Sequence, residues 1–378
     1  MFENLWALIS TFIVFFIGAL LMTKLAKAFN MKKSRSLLIY IWHTIFCFAY
    51  IIYAQKYGAD ALMYYARALE GALIYKFGTG AAITITTFLV QGFGLGFIGC
   101  FLFYNILGAI GLLAFDGALK QATINKTAFS GKIATLVIFL PSVSFWSSAI
   151  GKDSISFLSA GLALWAALQL NKRIWLMVLA VALMMIVRPH MAGIMVIALA
   201  MSVMFDKKAS IIKRLLLGSI SIVGVAIMVP FALDYAGVSD AASSEGLINY
   251  VETRQSYNTE GGGGVDIANM SLPMQLFTYA FRPIIFEARS ITALAASLDN
   301  LILLYLFILG VYALIKKKSQ NFIENRKFMW VYVILSWIVL AMTTANLGIA
   351  VRQKWMFTPI LIYLLLSLVG SKKKNIRY

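Results

Sequence analysis

An arginine and a histidine flank a proline at Arg188-Pro189-His190, between the apolar runs 174–187 and 191–205. Ionisable groups placed between such runs are expensive in lipid, which marks them as functional candidates. A guanidinium binds phosphate oxygens in pairs and keeps its charge when partly buried. An imidazole moves protons near neutral pH. Further charged residues stand where other apolar runs end: Lys152-Asp153, Arg254, Arg282-Pro283, Arg289, Arg352, and Asp60 with Tyr64 and Tyr65. Several cations around one phosphate or pyrophosphate stabilise it as a leaving group. Transfer to a hydroxyl also needs a base, for which Asp60 and His190 are the candidates and Asp153 the third.

Each residue also has a plainer use. Arg188 and His190 fit helix ends whose long side chains reach for water. Arg352, in Arg-Gln-Lys-Trp, fits an interfacial anchor. Asp60 fits an N-cap for the helix after it. Asp153 adjoins Lys152 and fits a simple ion pair, while Arg254 and Arg289 fit solvated loop charges. His43, beside Trp42 and Thr44 inside an apolar run, reads as a packing histidine, and Cys47 and Cys100 as packing residues. No Cys/His spacing suits a metal, and no cofactor is expected.

The elements that must position these residues are membrane helices. Of the 378 residues, 61% are hydrophobic, and the mean hydropathy is +0.84. The expected fold is all-α: a single polytopic membrane domain over 1–378, with about eleven spans and broken helices in the outer half. The spans fall at 4–23, 36–53, 94–118, 133–149, 154–171, 174–188, 191–205, 212–234, 294–315, 328–345 and 354–370. The net charge of +18 does not point to nucleic acid, because most Lys and Arg cluster in alternate short loops. That is the positive-inside pattern, with the N-terminus outside and the C-terminus in the cytoplasm.

The informative loops are outer ones: 54–93, whose apolar spacing suits an interfacial helix, and 235–293, the largest. All six prolines, 141, 189, 230, 273, 283 and 359, fall in the outer half, which suits irregular helices around a cavity. From residue 174 to Arg188 a helix rises roughly 21 Å, and from Asp206 back to His190 roughly 24 Å, against a core of about 30 Å. The turn therefore lies below the outer surface, ringed by Lys152, Arg282 and Arg352 nearer the rim.

The chain resembles bacterial polysaccharide-assembly membrane proteins, the Wzy-type and EpsG-like polymerases, and more distantly the GT-C membrane glycosyltransferases. The resemblance rests on Asp60…Tyr64-Tyr65, on Pro141-Ser142-Val143-Ser144-Phe145-Trp146-Ser147-Ser148-Ala149-Ile150-Gly151-Lys152-Asp153, on Phe281-Arg282-Pro283-Ile284-Ile285-Phe286-Glu287, and on Arg352 with Pro359. It implies an enzyme of the bacterial inner membrane acting on a polyprenyl-pyrophosphate-linked glycan at the outer face. Membrane lipid and other polysaccharide-assembly proteins would be its partners. Asp60 would then be the base, beside His190, which the residues themselves offer as the second proton carrier. Arg188, Lys152, Arg282, Arg352, Arg254 and Arg289 would hold the pyrophosphate, and Tyr64, Tyr65 and Asp153 would contact substrate. Two other readings stay open: a GT-C enzyme using a polyprenyl-monophosphate sugar, and a transporter or flippase of a lipid-linked anion, for which broken helices are equally suited.

Overall fold

Lipid offers backbone amides no partners, so apolar runs in a bilayer fold as helices. The computed structural model describes residues 4–204, 263–316 and 325–369, with Gly218, Ser219, Ile222, Ala226, Glu252 and Thr253 as isolated positions. The regular elements among these residues are all helices, and an isolated bridge pairs Gly264 with Asn346.

Among the described residues, six helical stretches are long and apolar enough to cross a membrane. They are α1 (Leu5–Leu25), α2 (Lys33–Tyr57), α5 (Phe97–Thr123), the stretch Ala128–Ser147 made of α6 (Ala128–Ile138) and α7 (Pro141–Ser147), α12 (Ile291–Ile315) and α13 (Arg326–Thr343). A seventh arises if Leu347–Met356 and Thr358–Leu368, bent by 66° at their junction, count as one span. Its parts are α14 (Leu347–Gln353), a 3-10 turn at Lys354–Met356 and α15 (Thr358–Leu368).

The described residues do not confirm the expected eleven spans, for a physical reason. The runs expected at 154–171, 174–188 and 191–205 form α8 (Lys152–Ala167), α9 (Ile174–Val187) and α10 (Pro189–Met204), of 16, 14 and 16 residues. Each is shorter than the about 20 residues that a perpendicular crossing needs. The run expected at 212–234 lies almost wholly outside the described residues.

The expected 54–93 loop holds two short helices, α3 (Asp60–Leu69) and α4 (Thr79–Thr87), the latter running into a π-helical turn at Phe88–Gly92. The helix α3 is amphipathic: Ala61, Tyr64, Tyr65 and Ala68 share its buried face. In the 235–293 region, α11 (Leu272–Phe281) is described.

The bundle is built around α5, most of whose side chains are buried. It lies close against α8, because a Cβ on Gly161 would collide with the Gly111 carbonyl, and one on Gly111 would meet Leu158 Cα at 2.8 Å. Small residues at such crossings let helix backbones approach. Polar groups lock the neighbouring contacts. His43 of α2 meets Asn105 of α5 at 2.5 Å and Ser147 of α7 at 2.9 Å, so it is a satisfied core histidine. At the opposite end from the candidate site, Asp116 of α5 binds Arg35 at 2.6 Å and Lys120 at 2.9 Å. Cys47 and Cys100 are both buried.

Candidate functional site

Four breaks in the helical path meet at one end of the bundle: α2–α3, α7–α8, α9–α10 and the bent α14–α15 pair. Their side chains line one small cavity, bounded by Tyr50, Asp60, Tyr64, Ala149, Ile150, Gly151, Lys152, Asp153, Arg188 and Arg352.

Each break has a local cause. Pro189 has no amide hydrogen and pushes the residue before it out of the helical region. Arg188 accordingly adopts φ −146°, ψ 70° at the end of α9, with its amide bonded to Met184 O at 2.6 Å. Gly151, at φ 138° and ψ −160°, turns α7 into α8 in a region open essentially to glycine alone. A Cβ there would also meet Tyr64 Cε2 at 2.7 Å. Gly58, at φ 76°, ends α2, and Ala59 is extended before Asp60 opens α3. Asn346 caps α14 by accepting from the amides of Gly348 at 2.9 Å and Ile349 at 3.2 Å. The segment before α14 is pinned by Leu347 N donating to Gly263 O at 2.8 Å. Just beyond Arg352, the buried Lys354 donates to Ala280 O at 3.2 Å and to Asn300 Oδ1.

The charged side chains alternate in sign across the cavity. Arg188 Nη2 donates to Asp153 Oδ1 at 2.9 Å, and both side chains are largely buried. Arg352 Nε lies 3.9 Å from Asp153 Oδ2, while its Nη1 donates to Asp60 Oδ2 at 3.2 Å. Lys152 Nζ turns instead to Thr79 Oγ1 at 3.0 Å. Asp153 stands in the first turn of α8, where a helix N-terminus favours a carboxylate. Three cations thus surround two carboxylates.

The environment sets their protonation. Lys152 and Asp153 precede the apolar part of α8. Burial, then the Arg188 charge, pushes the Lys152 ammonium down to about 8, against the opposing pull of Asp153 and Asp60. Burial works to raise the Asp153 carboxyl, but Arg352 and Arg188 outweigh it and hold the group below the usual carboxylate range. Burial, then the charge of Asp60, raises the Tyr64 phenol to about 12, so it stays a hydroxyl donor at neutral pH.

Donors outnumber acceptors here. Arg188 Nε and Arg352 Nε are buried with no hydrogen-bond partner in the protein, and so is the Tyr279 hydroxyl. Buried donors without acceptors are destabilising, and a bound polar ligand is one way to satisfy them. An oxyanion suits these donors, and the two guanidinium groups offer the forked geometry that phosphate oxygens accept.

The structure gathers Asp60, Tyr64, Lys152, Asp153, Arg188 and Arg352 at this cavity, from the sequence-derived candidates. Other candidates lie elsewhere. His190 is half-buried in the first turn of α10 and does not line the cavity. Arg282 is taken up by Glu287, with Arg282 Nε 2.9 Å from Glu287 Oε1. Arg289 is exposed. Tyr65 packs edge-on against Phe97, with ring centroids 5.1 Å apart. Arg254 lies outside the described residues. Asp60 is not an N-cap: Ala59 holds that position, and the Asp60 side chain reaches across to Arg352.

Sequence reasoning missed Tyr50, Thr79 and Tyr279. Tyr50 had a signal, since Tyr50, Tyr53 and Tyr57 recur at helical spacing along α2 up to Asp60. Thr79 and Tyr279 had none. Among the described residues, no three His, Cys, Asp or Glu side chains gather as metal ligands. Compared with known proteins, the chain matches no family model, no curated protein and no solved structure.

Proposed function

We propose that this protein is a membrane glycosyltransferase that joins polyprenyl-pyrophosphate-linked oligosaccharide units into a polysaccharide. In this reading it acts at the outer face of the bacterial cytoplasmic membrane. The basic loops face the cytoplasm, and α8, α9 and α10 cross in tandem as tilted or thinned-bilayer spans. The observation that carries the reading is the pair Arg188 and Arg352. They are brought from separate breaks to one cavity, each with a buried Nε lacking an acceptor, beside the half-exposed carboxylate of Asp60.

The step is a displacement at the anomeric carbon of the lipid-linked donor. The acceptor hydroxyl oxygen forms the new bond to that carbon. The carbon–oxygen bond to pyrophosphate breaks, and the electron pair leaves with polyprenyl pyrophosphate. Arg188, Arg352 and Lys152 stabilise the growing charge on the leaving group. Asp60 takes the hydroxyl proton. Asp153 orients both arginines and stays ionised. The Tyr64 hydroxyl faces the same cavity as a neutral donor.

The test is elongation of a purified lipid-linked oligosaccharide by the protein in nanodiscs, followed by gel separation of the glycans. The wild type lengthens the glycan. Arg188→Ala, purified with an unchanged gel-filtration profile, does not, and Arg188→Lys restores only a small part. Full activity in Arg188→Ala overturns the assignment.

A further inference from the structure

The cavity between the arginines is too small for the ligand assigned to it. It holds ≈ 10 Å³, the space of about one water molecule. A pyrophosphate therefore enters only if part of the wall moves, and the bonding across the cavity says which part. Asp153 is gripped: it bonds Arg188 at 2.9 Å, faces Arg352 at 3.9 Å and is 21% exposed. Asp60 is not: its side chain is 51% exposed and, among the described residues, makes a single ion-pair contact, at 3.2 Å to Arg352 Nη1. It caps no helix, and open space surrounds Gly58, which joins α3 to α2.

We propose that the Asp60 carboxylate occupies, in the free protein, the place on Arg352 that a phosphate group of the substrate takes. The inference rests on the pyrophosphate reading above and deepens it. A carboxylate and a phosphate present the same acceptor oxygens to a guanidinium edge. An exposed, singly bonded ion pair is worth little, so a pyrophosphate, with two negative charges shared between its phosphates, displaces it readily. Arg352 then exchanges one anion for another without being stripped of a partner. The displaced Asp60 is left charged and unpaired beside the bound donor, where a base is required. Seating of the leaving group and release of the base become one event, and a bound acceptor alone does not free Asp60.

This makes a prediction of unusual sign. Removing a proposed catalytic carboxylate should tighten ligand binding, and should do so through Arg352. The experiment is a double-mutant cycle, with inorganic pyrophosphate titrated into wild type, Asp60→Asn, Arg352→Gln and the double variant in nanodiscs, read by calorimetry. Asp60→Asn is expected to tighten binding by about threefold to fivefold in the wild-type background, the upper part of the range of an exposed ion pair. In the Arg352→Gln background the same change should have no effect. Equal tightening in both backgrounds means that Asp60 acts only through the general field, and overturns the inference. Unchanged or weaker binding in Asp60→Asn overturns it too, while wild-type binding that Arg188→Ala abolishes leaves the pyrophosphate reading standing. If pyrophosphate binds none of these proteins, that reading falls and this inference with it.

Discussion

Arg188 Nη2 donates to Asp153 Oδ1 at 2.9 Å, and this bond ties the break between α9 and α10 to the break between α7 and α8. Neither break is continuous helix, so the ion pair sets their relative position. Their side chains are only 10% and 21% exposed. Removing one partner of a buried pair leaves an uncompensated charge and is strongly destabilising. Asp153→Asn should therefore lower stability by about 2 kcal/mol, less than for fully buried pairs. Asp60→Asn, whose carboxylate is half exposed, should change it by less than about 1 kcal/mol. Thermal unfolding of the two variants in detergent checks the difference. Equal effects would mean that Asp153 is not the structural member of the pair of carboxylates.

Gly151→Ala should harm both fold and site. The methyl group meets Tyr64 Cε2 at 2.7 Å, and φ 138° with ψ −160° is strained for alanine by about 1–3 kcal/mol. Both strains displace Lys152 and Asp153, which follow directly. The expected result is a lowered Tm, together with a loss of elongation larger than the stability change explains at a permissive temperature. A variant with wild-type Tm and activity would show that the turn tolerates a side chain.

What the sequence made legible follows distance along the chain. Pro189 announces its own break, and the charge beside it announces a site. Lys152-Asp153 after a glycine does the same. The pairing of Asp60 with Arg352 spans 292 positions, and no local pattern carries it. Tyr50 is hidden because an aromatic residue in an apolar helix looks like packing. Arg282 was expected at the cavity, yet Glu287 stands five residues further on and takes it. That partner was visible in the sequence and competes at short range. The span count is least legible where helices are short: α8, α9 and α10 are apolar but have 16, 14 and 16 residues, and hydropathy reads composition more readily than length.

Lys152 should give the site a pH dependence with two opposite signs. Its pKa falls from 10.5 to about 8 on folding, chiefly through burial. Between these values the unfolded chain binds more protons than the folded one, so stability rises as pH climbs through that window. Below the folded value the penalty of the buried charge is present in full. Anion binding runs the other way, because the ammonium is lost as pH rises through about 8. Pyrophosphate affinity should therefore weaken above that pH in the wild type. In Lys152→Arg the charge persists and the decline should vanish. The check is calorimetric titration at several pH values; an unchanged decline in Lys152→Arg would assign it to another group.

Orientation is the remaining expectation with a direct readout. The basic turn between α1 and α2 carries Lys27, while the segment between α3 and α4 carries Lys76, and both residues are exposed. Positive loops are retained in the cytoplasm, which puts Lys27 inside and Lys76 outside with the cavity. Cys47 and Cys100 are buried, so the parent chain should react little with a membrane-impermeant maleimide. Intact cells should label Lys76→Cys at once and Lys27→Cys only after permeabilisation. The reverse pattern would turn the cavity to the cytoplasm, where a lipid-linked donor arrives from a different pool, and would overturn the outer-face assignment while leaving the anion site intact.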